Sequence, residues 1–277
     1  MIDIGKLHTL RVVKEVDFGV YLDGEELGEI LLPARDVPQQ CRVGTTLKVF
    51  VYLDSEDRLI ATTQTPYATV GQVAWLKVVS VTAVGAFLDW GLPKDLLVPF
   101  REQQQRMQAE RSYLVFVYLD EHTHRIAASS KLEKFLDTQP FEGQAGQEVE
   151  LVIGSQTEMG YKVIINDAHW GVLYNNEVFQ LLRKGQRLRG FIKKVREDGK
   201  IDCCLQEPGY AKVPDAAGVI LAALHKHGGF LAVTDKSSPD QIYALFGVSK
   251  KTYKKAIGTL YKQRYITIEK NGIRLRS

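Results

Sequence analysis

The sequence predicts a mainly β protein, three small barrels in tandem followed by an α+β winged helix. Three observations predict it. The first half of the chain repeats without a gap at a spacing of 66 residues, a fainter third copy follows at a spacing of 75, and the periodicity turns helical after Pro214. Repeats come first in the reading because each copy is one folding unit.

In the ungapped repeat, Gly5 meets Gly71, Leu10 meets Leu76, and Val12-Val13 meets Val78-Val79. Gly19 meets Gly85, Leu22-Asp23 meets Leu88-Asp89, Leu31 meets Leu97, Pro33 meets Pro99, and Arg35 meets Arg101. The string Val49-Phe50-Val51-Tyr52-Leu53-Asp54 recurs intact as Val115-Phe116-Val117-Tyr118-Leu119-Asp120. Within a copy, Leu7 to Val16, Val20 to Leu22, Leu47 to Leu53 and Leu59 to Thr62 are short runs of β-formers bounded by Gly, Asp and Ser, as in a small barrel. Gly19, Gly85 and Gly160 interrupt strand patterns, so a bulge or sharp barrel bend is expected at each. The third copy places Gly146 on Gly71 and Gly160 on Gly85, and ends on Arg189 to Val195 and Lys200 to Leu205. About 65 residues suffice for a five-stranded barrel.

Lys212-Val213-Pro214 reads as a linker. From Asp215, apolar residues at Val219, Ile220, Ala223 and Leu224 recur at helical spacing until Gly228-Gly229. Ser238 caps a helix that runs to Phe246, with Pro239 in its first turn. Ser249 caps the next, Lys250 to Gln263. Tyr265 to Glu269 and Ile273 to Leu275 form a hairpin around an Asn271-Gly272 turn. The expected domains span residues 1–67, 68–135, 141–208 and 212–277.

Asp17-Phe18-Gly19-Val20-Tyr21-Leu22-Asp23, Val84-Gly85-Ala86-Phe87-Leu88-Asp89 and Met159-Gly160-Tyr161-Lys162-Val163 resemble the second-strand signature of the ribosomal-protein-S-one RNA-binding domain, an OB-fold barrel. The whole order is similar to the conserved virulence factor B group of bacterial RNA-binding regulators, including Gly171-Val172-Leu173-Tyr174-Asn175-Asn176-Glu177 and Val195 to Asp202. The resemblance implies three tandem OB-fold barrels, RNA as partner, and a regulatory role in RNA metabolism or gene expression. The family's strand-three His is replaced by Leu31, Leu97 and Tyr174, and Val84 stands where the second copy's first aromatic belongs.

Charge points the same way. From Ala211 onward there are twelve Lys and Arg against four Asp and Glu, a balance of +8, whereas the preceding residues carry 24 against 29. Lys250, Lys251, Lys254, Lys255 and Lys262 lie on the second helix of the helix-turn-helix with Arg264 just after it, where phosphates would meet them. They would serve solubility or protein docking under the plainer reading. Phe18, Tyr21, Phe87 and Tyr174 are candidate stacking surfaces for unpaired bases; for Tyr21, Phe87 and Tyr161 a core position is the competing reading. Lys162, Arg189, Lys193 and Lys194 are candidate phosphate contacts of the third copy, with a solvated face as the alternative.

The three cysteines, Cys41, Cys203 and Cys204, lack metal or disulfide spacing. His122/His124 and His225/His227 have no third ligand at suitable spacing. No phosphate loop, nucleophile elbow or paired-acid motif is present. The expectation is a cytoplasmic, non-catalytic protein with no cofactor, metal, small-molecule substrate or membrane partner, binding single-stranded RNA through the third barrel and the winged helix. The alternatives are a duplex-DNA-binding transcriptional regulator and a protein-interaction scaffold.

Overall fold

The computed structural model describes residues 2–175, 178, 182–206 and 216–276. The linker read at Lys212 to Pro214, the helix start at Asp215 and the Asn176-Glu177 segment lie outside them. The first repeat folds as β1 (Leu7–Val16), β2 (Gly19–Asp23), β3 (Glu29–Pro33), β4 (Thr46–Leu53) and β5 (Leu59–Thr62). The second gives β6 (Val73–Val81), β7 (Gly85–Asp89), β8 (Leu96–Pro99), β9 (Ser112–Leu119) and β10 (Ile126–Ser129). The third gives β11 (Glu148–Thr157), β12 (Gly160–Ile165), β13 (His169–Tyr174), β14 (Arg187–Val195) and β15 (Ile201–Cys204).

Strand order is the same in all three, but closure differs. The first barrel closes by the parallel pair Leu31–Ile60, and the third by three parallel pairs between β13 and β15. The second is an open sheet ordered β10-β9-β6-β7-β8. The bulges lie upstream of the glycines expected to carry them, where the register slips between Val12 and Lys14, Val78 and Ser80, and Ile153 and Gln156. Gly19, Gly85 and Gly160 serve close approach instead: a Cβ there would sit 2.2, 2.3 and 2.1 Å from the carbonyl oxygens of Leu32, Val98 and Leu173. The glycine lets strand two cross the end of strand three.

The repeated six-residue string explains itself by alternation. Val49 and Val51 point into the first barrel's core, while Phe50 and Tyr52 join the core of the second. Phe50 meets Trp90 edge-on at 5.7 Å. One repeat later, Val115 and Val117 fill the second barrel, and Phe116 stacks on Phe135 at 4.5 Å between the second barrel and the third. Both faces of the string are therefore used, one for its own barrel and one to dock the next. Arg187 completes the second joint, donating to the Val73 carbonyl at 2.6 Å and to Asp167, while the Val73 N–H donates to Asp167 at 2.9 Å.

The remainder is α1 (Ala216–Lys226), β16 (Phe230–Leu231), α2 (Pro239–Phe246), α3 (Lys250–Lys262), β17 (Ile266–Glu269) and β18 (Gly272–Leu275). Ser238 and Ser249 cap α2 and α3 by accepting from the N–H groups of Gln241 and Thr252. Ile220, Leu224, Ile242, Phe246, Tyr253 and Ile273 form its core. The hairpin departs from the expected Asn-Gly turn. Lys270 and Asn271 make the turn, and Gly272 is the first residue of β18, paired with Glu269. Gly272 lacks positive φ; its side-chain-free Cα admits the Leu231 carbonyl, which a Cβ would meet at 2.3 Å.

Candidate nucleic-acid interface

Strands β12, β13 and β15 of the third barrel send alternate side chains inward, although Ile164 on the other face is buried against the second barrel. Tyr161, Val163, Ile165, Leu173 and Cys203 belong to its core. Core burial pushes the Cys203 thiol up to about 12, so it stays protonated and inert. The opposite face carries Lys162, Trp170 and Val172, with Lys162 paired to Val172 across the ladder. This is the face on which OB-type barrels take oligonucleotides. It forms a groove of about 890 Å³ lined by Phe141, Met159, Lys162, Trp170, Val172 and Lys200, among others. Asp137 and Asp198 also line it, and Asp198 is neutralised by Lys200 at 2.9 Å.

The Lys162 ammonium lies over the Trp170 ring, 3.6 Å from its centroid. A cation at such a partly exposed site is worth about 0.5–1 kcal/mol. Stacking of a base on an aromatic is worth about 1–3 kcal/mol. A base can thus displace the ammonium from the ring and release it to a phosphate. Trp170 was absent from the sequence-read candidates. Its signal, a Trp two residues before the Val that faces Lys162, needs the strand register to be seen.

Of the other third-barrel candidates, Tyr174 lies outside the groove lining. Its hydroxyl is bonded by Arg196, which also pairs with Asp202 at 2.8 Å. Arg189 pairs with Glu148 at 2.5 Å, on β14. Lys193 is the bulged residue of β14, and Lys194 follows it opposite Asp202 of β15, both exposed. Tyr161 takes the core position.

In the first barrel, Phe18 is 57% exposed and meets Tyr21 edge-on at 6.4 Å, while Lys14 lies over the Tyr21 ring at 5.7 Å. In the second, Phe87 lines a groove of about 720 Å³ between β7, β8 and the 52–57 segment of the first barrel. Its cations are engaged. Arg101 pairs with Asp120 at 3.0 Å, Arg125 with Asp57, and Lys94 donates to the carbonyls of Leu53 and Asp54 at 3.0 and 2.6 Å.

Helix α3 buries Tyr253, Ala256, Ile257 and Leu260. Lys251, Lys255 and Lys262 fall on the opposite stripe and make no ion pair among the described residues. Lys254 lies 3.7 Å from Asp235, and Lys250 donates to the Lys236 carbonyl at 3.3 Å. Arg264 adopts φ +63°, and the exposed rings of Tyr261 and Tyr265 stand beside it. Sequence reading missed both rings, which helical spacing from Tyr253 alone does not place.

The S1 domain family matches residues 4–64 and 70–130, and the CvfB-like winged helix domain matches residues 218–275. The chain thus carries two S1 domains and a CvfB-like winged helix, and conserved virulence factor B proteins match it over nearly its whole length. It is 28% identical to "Uncharacterized protein YitL" of Bacillus subtilis over 97% of this chain and 92% of that one. It is likewise 28% identical to "Conserved virulence factor B" of Staphylococcus aureus, over 98% and 94%. A solved structure described as a multidomain protein with nucleic acid binding domains from Streptococcus pneumoniae shares 26% identity over 99% of this chain and 98% of that one, at a TM-score of 0.41. S1 barrels and winged helices are nucleic-acid-binding modules, and this chain combines them. No helix among the described residues is long and apolar enough to cross a membrane.

Proposed function

We propose that this chain binds single-stranded RNA through the outer face of the third barrel and helix α3, as a non-catalytic cytoplasmic regulator of RNA metabolism or gene expression. The observation that carries the reading is the Lys162 ammonium resting on Trp170 in the β12–β13 groove. A stacking ring with a cation on it fits a strand whose bases are unpaired and whose phosphates lie within a lysine side chain's reach of the stacked base. The lysine stripe of α3 adds a sequence-independent, salt-sensitive contribution.

The test is fluorescence anisotropy with labelled single-stranded RNA, single-stranded DNA and duplex DNA at two salt concentrations. Preference for single-stranded RNA, weakened by Trp170→Ala and by Lys251→Glu/Lys255→Glu, is expected. The exposed lysines on the second helix of a helix-turn-helix also suit a duplex. Duplex preference lost only with the lysine changes moves the function to DNA; absence of salt-dependent binding leaves a protein scaffold.

A further inference from the structure

Three concavities along the second and third barrels share their walls. Lys162 and Trp170 line both the third barrel's groove and a cleft of about 430 Å³ between the two barrels. Trp75 and Lys184 line both that cleft and an outer one of about 790 Å³. At each shared wall a lysine ammonium lies over a tryptophan, 3.6 Å from the Trp170 centroid and 5.2 Å from that of Trp75.

We propose that these concavities form one track for single-stranded RNA, with Trp75 a second stacking station that receives the strand beyond the third barrel. The proposal rests on the RNA reading above and extends it to a surface of the second barrel. Trp75 stands on β6 and stays 37% exposed although the Gly185 backbone abuts it so closely that a Cβ there would overlap its side chain at 2.1 Å. A ring serving only to glue the barrels would be covered, as Phe116 is by Phe135. Charge favours a polyanion. Arg111, Lys162 and Lys184 line the inner cleft against Glu133, and Arg183 joins Lys184 in the outer one. Arg111, Lys162, Arg183 and Lys184 make no ion pair among the described residues. Arg187 differs: bound to Asp167 and the Val73 carbonyl, it fixes the barrels so that the cleft exists before any strand arrives.

The experiment compares oligouridylates of about 6 and about 18 nucleotides, bracketing the footprint of one barrel. Affinities for the full chain are measured by anisotropy. Trp75→Leu and Lys184→Glu should each weaken the longer RNA at least about fivefold and leave the shorter within about twofold. Trp75→Phe, which keeps a ring, should retain most of the long-RNA affinity. Lys184 is exposed on a loop, so its variant reports even if Trp75→Leu fails to fold. Unchanged long-RNA binding in Lys184→Glu and in folded Trp75→Leu, with Trp170→Leu still weakening both lengths, overturns the track and spares the third-barrel site. A wild-type chain that binds neither RNA overturns the RNA reading and the track with it.

Discussion

The outer faces of the second and third barrels come from the same strands of the same fold, and they are used differently. On the second, Phe87 looks across a groove whose far wall is the first barrel, and Arg101, Arg125 and Lys94 are spent on Asp120, Asp57 and backbone carbonyls. On the third, Lys162 stands at the position of Phe87 and sits on an aromatic ring, from which a base or phosphate can take it. A barrel keeps its ligand face available only where its neighbours do not consume the charge. Cation counts by themselves do not separate the two.

The largest expected effect concerns what walls off the second face. Phe50→Ala removes a fully buried ring from the joint between barrels one and two and should cost roughly 3–5 kcal/mol, read as a fall in Tm. Next, Lys162→Ala/Trp170→Ala should lower single-stranded RNA affinity about tenfold or more by anisotropy. Phe87→Ala, its counterpart, should change it less than about twofold; an equal loss would erase the contrast.

Glu102 gives a pH-dependent test of how the second barrel uses its charge internally. Burial raises its carboxyl, but hydrogen bonds from Lys134 at 2.8 Å and Ser129 at 2.8 Å outweigh this and hold it below the usual carboxylate range. A depressed carboxylate stabilises the fold above its unfolded value, and the benefit fades as pH falls through the folded one. Glu102→Gln should therefore destabilise the chain by roughly 1–3 kcal/mol at pH 7, with the gap to wild type closing in strong acid. A modest gain sharpens the comparison from the other side. Asp57→Asn frees Arg125 at the second groove and should raise RNA affinity about two- to threefold at low salt, with a steeper salt dependence.

Much of this architecture was legible in the residues. An identical string in fixed register announces a duplication, and strand β4 ends at Leu53, where Asp54 to Asp57 say it should. The capping serines of α2 and α3 were readable because the cap is a local contact. What escaped was non-local. Lys162 meets Trp170 only once β12 and β13 are paired, and Trp75 meets Lys184 and Gly185 only after two barrels have docked. The Asn271-Gly272 turn failed because Gly272 answers to the Leu231 carbonyl of another strand, a demand stronger than local turn preference. Tyr174 was placed on the correct strand, yet its hydroxyl is committed to Arg196.

The docking face of the repeated string has one more consequence. Barrel-to-barrel contact through Phe50/Tyr52 and then Phe116/Tyr118 is head-to-tail, a geometry that does not close on itself and could in principle be extended indefinitely. Register aligns Leu7 with Glu148 and hence Phe50 with Phe191, after which β14 bulges at Lys193 and sets Lys194 opposite Asp202 where Tyr52 stands opposite Ile60. The third barrel thus keeps a ring at the first docking position and carries exposed lysines, Lys193 and Lys194, around the second. Linear arrays need a polar terminus to remain soluble, and the exposed lysines of β14 give the third barrel polar surface where the earlier two dock a neighbour.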